Sequence, residues 1–161
     1  AVETEGWPTL RELRGRSLWV LHNGSALREH YVAERSSAEW LLFPDAQGST
    51  DSDYAAVHSL NDPFNQFDAI QRLVLKNHLV RTRADSDLEE PRAGDTSRLR
   101  LALESGAHFV STDVPTPRDG LDYVARIPAG TPSRCNPLIS PANCQSEDIE
   151  SAQLLNSCGG E

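Results

Sequence analysis

The chain has no methionine, not even at position 1, and only one lysine, Lys76, among its fifteen basic residues. The missing initiator leads us to expect a processed or cut start. No charged and then apolar leader opens the chain, so any such segment is expected to have gone already. No apolar run approaches the roughly 20 residues that a membrane-spanning helix needs. The 15 Lys+Arg face 24 Asp+Glu, for a net charge of −9, and they form no stripe. Nucleic acid is therefore not expected as a partner, because phosphate neutralisation needs clustered cations. There is no Gly-rich phosphate cradle, and no Gly-x-Ser-x-Gly surrounds Ser17, Ser59 or Ser111, which leaves serine hydrolysis unsupported. The Asp51-Ser52-Asp53 loop lacks the glycine and closing glutamate of an EF-hand and reads as an acidic surface loop. The cysteines have no CxxC pairing and no histidine beside them, which argues against four-ligand zinc.

What is present suffices for one domain. With 161 residues, 38% of them hydrophobic, and three Trp and four Phe, a core can form without metal or disulfide staples. Mean hydropathy is modest at −0.49. Cys135, Cys144 and Cys158 all lie in a Pro-rich tail, which suits a disulfide in an exported protein better than a catalytic thiol. Cys135 and Cys144 would close a short loop through Asn136–Asn143. Cys158 is then left over, as expected if its partner lies on a segment outside this chain.

Along the chain, Trp7–Leu13 reads as a short helix in which Thr9 and Glu12 have capping-box spacing. Ser17–His22 is an almost unbroken apolar run, the pattern of a strand covered on both faces. Ser25–Ala38 is helix-compatible. Trp40–Phe43 is a second strand stopped by Pro44, Asp45–Asp53 a polar loop, and Ala55–Leu60 a third strand ending at Asn61-Asp62-Pro63. Phe67, Ile70, Leu73 and Val74 recur at helical spacing, with Asn77 as the stop. His78–Arg83 alternates like a strand. Asp95 is expected to cap a helix carrying Leu99, Ala102 and Leu103, and His108–Thr112 is the last strand before an irregular tail.

Strands and helices that alternate at this spacing predict an α/β protein with a parallel sheet. Polar residues follow each strand: His22-Asn23, Pro44-Asp45, Asn61-Asp62, Arg83 to Asp85, and Thr112-Asp113. Parallel α/β folds place their chemistry at these strand exits. A complete eight-stranded barrel needs about 200–250 residues. The four or five strands here make either a small open sheet or half a barrel. Half a barrel is preferred, because the apolar edge at Ser17–His22 would be a liability alone.

Leu79-Val80-Arg81-Thr82-Arg83-Ala84-Asp85, followed by Gly106 through Ser111-Thr112-Asp113-Val114-Pro115, resembles the last two strands of the bacterial, secreted, calcium-dependent phosphoinositide-specific phospholipase C family. Asn61-Asp62-Pro63, the tail Arg126–Gly130 with Arg134-Cys135-Asn136-Pro137 through Cys144, and the opening Gly6–Leu10 with Arg14-Gly15 resemble further parts of that family. The resemblance spans roughly the whole chain and covers the C-terminal half of a family member. It implies residues 1–125 as the second half of a (β/α)8 TIM barrel, and 126–161 as a loop-rich, disulfide-bearing extension. It also implies secretion, a transient membrane surface, a phosphoinositide substrate, and calcium. Most calcium ligands and the catalytic histidines would come from the N-terminal half of the barrel, outside this chain. Where relatives carry an acidic residue after the fifth strand, this chain has His22-Asn23.

The implied reaction is attack of an inositol hydroxyl on the neighbouring phosphodiester, with acid–base catalysis and cationic stabilisation of the phosphate. Arg83 is the leading phosphate contact, since a guanidinium matches two phosphate oxygens; a salt bridge to Asp85 or Asp113 is the plain alternative. Arg81 shares its parity on the strand. Asp113 is a catalytic candidate that would orient a histidine of the other half, or a turn cap. Asp85 and Asn61 are candidates for inositol hydroxyls or for supporting calcium, or are turn residues. His22 is a substrate contact or a satisfied structural histidine, and Lys76 a solvated or helix-end charge. Two alternative functions stay open: a glycerophosphodiester phosphodiesterase, and a non-catalytic inositol- or carbohydrate-binding barrel.

Overall fold

The fold is organised around β4 (Leu79–Arg83), as seen in a computed structural model whose described residues are 2–22, 26–34, 40–128 and 132–150, without the side chains of residues 148 and 150. Its sequence alternates. Val80 and Thr82 turn to one face and are fully buried, while Leu79, Arg81 and Arg83 turn to the other. On the Val80 side, α4 (Pro63–Leu75) and α6 (Ser97–Glu104) pack over the strand. Ile70, Leu73 and Val74 recur at helical spacing along α4, and they close a core with Leu60 and Val80. Each such side chain contributes about 1.5–3 kcal/mol by leaving water. α4 starts where expected: Pro63 occupies the first turn, and the Asp62 carboxylate accepts the Phe64 N–H.

β4 lies between β3 (Val57–Ser59) and β5 (Phe109–Ser111), and both pairings are parallel. β1 (Val20–Leu21) and β2 (Phe43–Pro44) form a second parallel pair. One parallel bridge, Asp45 to Val57, joins the pairs, so the five strands lie side by side in chain order. The register puts Ser59 beside Arg81, Phe109 beside Arg81, and Ser111 beside Arg83. All of these share the face turned away from α4 and α6. On that face Phe109 is 55% exposed while Val57 is buried, so the face is open on the β5 side.

The remaining helices are short. α1 (Val2–Glu5) was not legible in the sequence, and α2 (Leu10–Leu13) carries the expected Thr9–Glu12 capping box. α3 (Ala26–Ala33) occupies part of the expected Ser25–Ala38. α5 (Glu89–Ala93) fills a stretch to which the sequence assigned no element, and α7 (Ser146–Glu150) lies in the tail. The expected Asp95 cap shifts by one residue: Thr96 is the N-cap of α6, while Asp95 accepts from the Ser97 N–H at 2.8 Å and hydroxyl at 2.9 Å.

Three expectations need correction. Pro44 does not stop the second strand but belongs to it. The Phe43 and Asp45 N–H groups donate to the carbonyls of Trp19, just before β1, and of Leu21 on β1. Pro44, between them, faces the other side at a level where β3 has not yet begun, so its missing N–H costs no ladder bond. Nor is Asp45–Asp53 a wholly solvated loop, since Asp45 and Ala46 are buried. The strand expected over Ser17–His22 is only two residues long.

The tail docks on the same body. Cys135 and Cys144 form the expected disulfide, and Cys158 lies outside the described residues. Asn136 donates from its amide to the Gly106 carbonyl at 2.7 Å, and Arg134 donates to the Leu103 carbonyl at 2.5 Å.

Candidate functional site

The C-terminal exits of the five strands carry His22, Asp45, Ser59 with Asn61, Arg83 and Asp113 in sequence order. Parity explains why they gather. His22 follows Val20 by two residues, Asp45 follows Phe43 by two, Asn61 follows Ser59 by two, and Asp113 follows Ser111 by two, so each continues the face that holds Arg81 and Arg83. A cavity of about 460 Å³ opens beside them, with Ser59, Asn61, Gln47 and Ser86 among its lining residues.

The two arginines are held differently. Arg83 donates from Nη2 to Asp113 Oδ2 at 3.1 Å, with both side chains partly exposed. Arg81 is half-buried and donates from Nη1 to the neutral amide oxygen of Asn61 at 2.8 Å. Burial first, and then the neighbouring Arg83 charge, pull the Arg81 guanidinium below its usual range, while Asp45 and Asp113 oppose that shift. A cation paired with an amide and crowded by a second cation gains from a bound anion. Asn61 is itself steadied from α6, where Arg98 donates to the Asn61 carbonyl at 3.4 Å while lying over the Phe64 ring.

Beside them stands a second group. Asp45 is fully buried, and its Oδ1 accepts the backbone N–H groups of Ser59 at 2.8 Å and Gln47 at 3.0 Å. Its Oδ2 lies 2.8 Å from His22 Nδ1, and Ser59 Oγ lies 3.1 Å from the same nitrogen. The other His22 nitrogen makes none of these bonds, and the His22 side chain is 56% exposed. Both contacts fall on one ring nitrogen, so this is not the Ser-His-Asp relay of an acyl hydrolase, in which serine and carboxylate take opposite nitrogens.

Asp85 does not join this rim. It is fully buried and accepts from the Thr112 hydroxyl, from the Asp113 N–H at 2.7 Å, and from the Tyr123 hydroxyl at 3.0 Å. Its carboxylate ties the β4 exit to the β5 exit and to the tail, which fixes the backbone of Asp113. Arg81, Arg83, Asn61, Asp113 and His22 do meet at the strand exits. Asn23 lies outside the described residues. Lys76 caps the far end of α4 and pairs with Glu3 at 3.5 Å.

The described residues do not build a calcium site of their own. No group of three or more His, Cys, Asp or Glu side chains is placed to hold a metal ion. The strand-exit carboxylates are already taken, Asp113 by Arg83, Asp45 by His22 and two N–H groups, and Asp85 by three donors. Calcium wants six to eight oxygens.

Asp45 was visible in the sequence as a strand-exit residue but was not singled out as a site candidate. It occupies the same strand-exit position as the others, which was the available signal, but the polar run that follows it reads as loop. Comparison with known proteins gives one finding. The family described as phosphoinositide phospholipase C, Ca2+-dependent, matches the chain over residues 1–137. No curated protein and no solved structure matches the chain.

Proposed function

Because the chain belongs to the calcium-dependent phosphoinositide phospholipase C family, we propose that it forms the phosphate- and headgroup-binding wall of an enzyme that cleaves phosphatidylinositol-type lipids. In this reading residues 1–125 are the second half of a (β/α)8 barrel, and 126–161 are an extension of the same domain. The first strands, the catalytic histidines and most of the calcium ligands come from an N-terminal half beyond this chain. The open face bearing Phe109 is the barrel interior that this half would close. The protein is secreted, as the tail disulfide suggests, and meets its substrate at a membrane surface.

The reaction is an internal displacement at phosphorus. A base takes the proton of the inositol 2-hydroxyl, whose oxygen bonds to phosphorus. The bond to the diacylglycerol oxygen breaks, and an acid protonates that oxygen, leaving a cyclic inositol phosphate. Arg81 and Arg83 bind the phosphate oxygens and stabilise their charge as the new bond forms. Asp113, at the exit of the last strand, pairs with Arg83 and in this reading orients a histidine of the other half. Asp85 positions Asp113 through its backbone. No step assigned to these residues runs through calcium.

The observation that carries this reading is Arg81 held by the neutral Asn61 amide beside a second arginine, which leaves cationic charge for a phosphate. Arg83→Ala in the complete enzyme tests it. Turnover of phosphatidylinositol with calcium should fall about 10²–10³-fold, with the melting temperature unchanged. Near-normal turnover would remove Arg83 from the site. Faster cleavage of glycerophosphoinositol than of the lipid would move the function to a soluble-diester phosphodiesterase.

A further inference from the structure

The His22–Asp45 pair suggests which part of the substrate this wall reads besides phosphate. As a carboxylate, Asp45 can only accept, and Oδ1 is already committed to the Ser59 and Gln47 N–H groups. The 2.8 Å contact from Oδ2 therefore puts the ring hydrogen on His22 Nδ1. Ser59 Oγ, at 3.1 Å from the same nitrogen, accepts a share of that hydrogen. Neutral imidazole carries one N–H, so Nε2 is left with a lone pair. It projects from a half-exposed ring at the β1 exit, two strands from Ser59 on β3 and three from Arg81 on β4, with Ser59 Oγ reaching the ring.

Such a nitrogen suits a hydroxyl donor and not a phosphate oxygen, since two lone pairs repel. We propose that Asp45 is a positioning residue that locks His22 in its Nδ1–H form, so that Nε2 accepts a hydrogen bond from a hydroxyl of the polyol headgroup beside the phosphate on Arg81 and Arg83. This rests on the phosphate reading above. It adds a residue, an atom and a direction of hydrogen bonding. Phosphate is read by donors and the ring by an acceptor, so a headgroup without hydroxyls satisfies the arginines but leaves Nε2 without a donor.

Long-range proton–nitrogen NMR of the complete enzyme reads this directly. His22 should show Nδ1 protonated and Nε2 bare, and myo-inositol should shift the Nε2 resonance. His22→Gln should weaken myo-inositol binding about tenfold, the scale of one hydrogen bond, and leave inorganic phosphate binding unchanged. Asp45→Asn should invert the tautomer. Its oxygen must still face the two N–H groups, so its amide N–H2 would then face Nδ1. The wild-type spectra keep the test valid should that variant misfold. An Nε2–H tautomer in the wild type, an Nε2 signal unmoved by saturating myo-inositol, or equal loss of inositol and phosphate binding in His22→Gln overturns the proposal. The two readings fail separately. Arg83→Ala with normal turnover sinks the phosphate role while the Nε2 response stands, and an unresponsive Nε2 beside an inactive Arg83→Ala does the reverse.

Discussion

Asp85 and Tyr123 bind the β4 exit, the β5 exit and the tail through one buried carboxylate. Burial first, and then the hydrogen bond to Asp85, push the Tyr123 phenol above its ordinary range, so it stays a donor. Removing the carboxylate takes the acceptor from three donors, the buried Tyr123 hydroxyl and the partly buried Thr112 hydroxyl and Asp113 N–H. Asp85→Ala should cost about 3 kcal/mol or more in urea unfolding, and Tyr123→Phe about 1 kcal/mol. A smaller loss for Asp85→Ala than for Tyr123→Phe would contradict this placement. Asp85 was visible in the sequence as a strand-exit polar residue. Its inward turn depends on Tyr123, 38 residues away, which no local pattern reports.

A buried histidine relay gives the fold a pH dependence. The Gly48 N–H donates to His58 Nδ1, His58 Nε2 donates to His78 Nδ1 at 2.7 Å, and His78 Nε2 donates to Glu3 at 2.9 Å. Burial, and then the neighbouring His78, push the His58 imidazole down to about 4 from an ordinary value near 6.5. Between those values the unfolded chain binds more protons than the folded one, so stability falls as pH drops through that window. The urea midpoint should decline from pH 6.5 toward pH 4 and decline less in His58→Asn. A flat profile in the parent protein would exclude the relay.

At the scale of elements, α4 and β4 were the most readable parts of the chain. Their periods of 3.6 and 2 are set by burial against each other, so pattern and packing agree. Ile70→Ala should cost about 2–5 kcal/mol, since the side chain is fully buried in the central core. Gly106→Ala should also destabilise. Its φ is +78°, and an added Cβ would meet Leu138 Cδ1 at 2.6 Å. By contrast, the strands expected over Ser17–His22 and Trp40–Phe43 are shorter than read. Their apolar runs are real, but β1 and β2 pair over only two residues each. At His22, Asn61 and Asp113 the strand-exit position, not the residue type, carried the information. Asp45 stood at the same position but was not singled out as a site residue, because the run after it reads as a polar loop.

At the scale of the whole molecule, the sheet has one side buried beneath α4 and α6 and one side with an exposed Phe109 and a charged rim. The tail is stapled by Cys135–Cys144, nine positions apart. A loop that short makes the bridge worth about 2–3 kcal/mol. Cys135→Ser with Cys144→Ser should lower the unfolding free energy by that amount, and an unchanged midpoint would show the tail folds without it.

The central claim is that Arg81 and Arg83 act together on one phosphate. A double-mutant cycle on kcat/KM for phosphatidylinositol, with Arg81→Ala, Arg83→Ala and the pair in the complete enzyme, addresses it most directly. Groups sharing one ligand couple, so the double variant should fall short of the summed single losses by about 1 kcal/mol or more. Strictly additive effects, or single variants within a few-fold of the parent, would contradict the account.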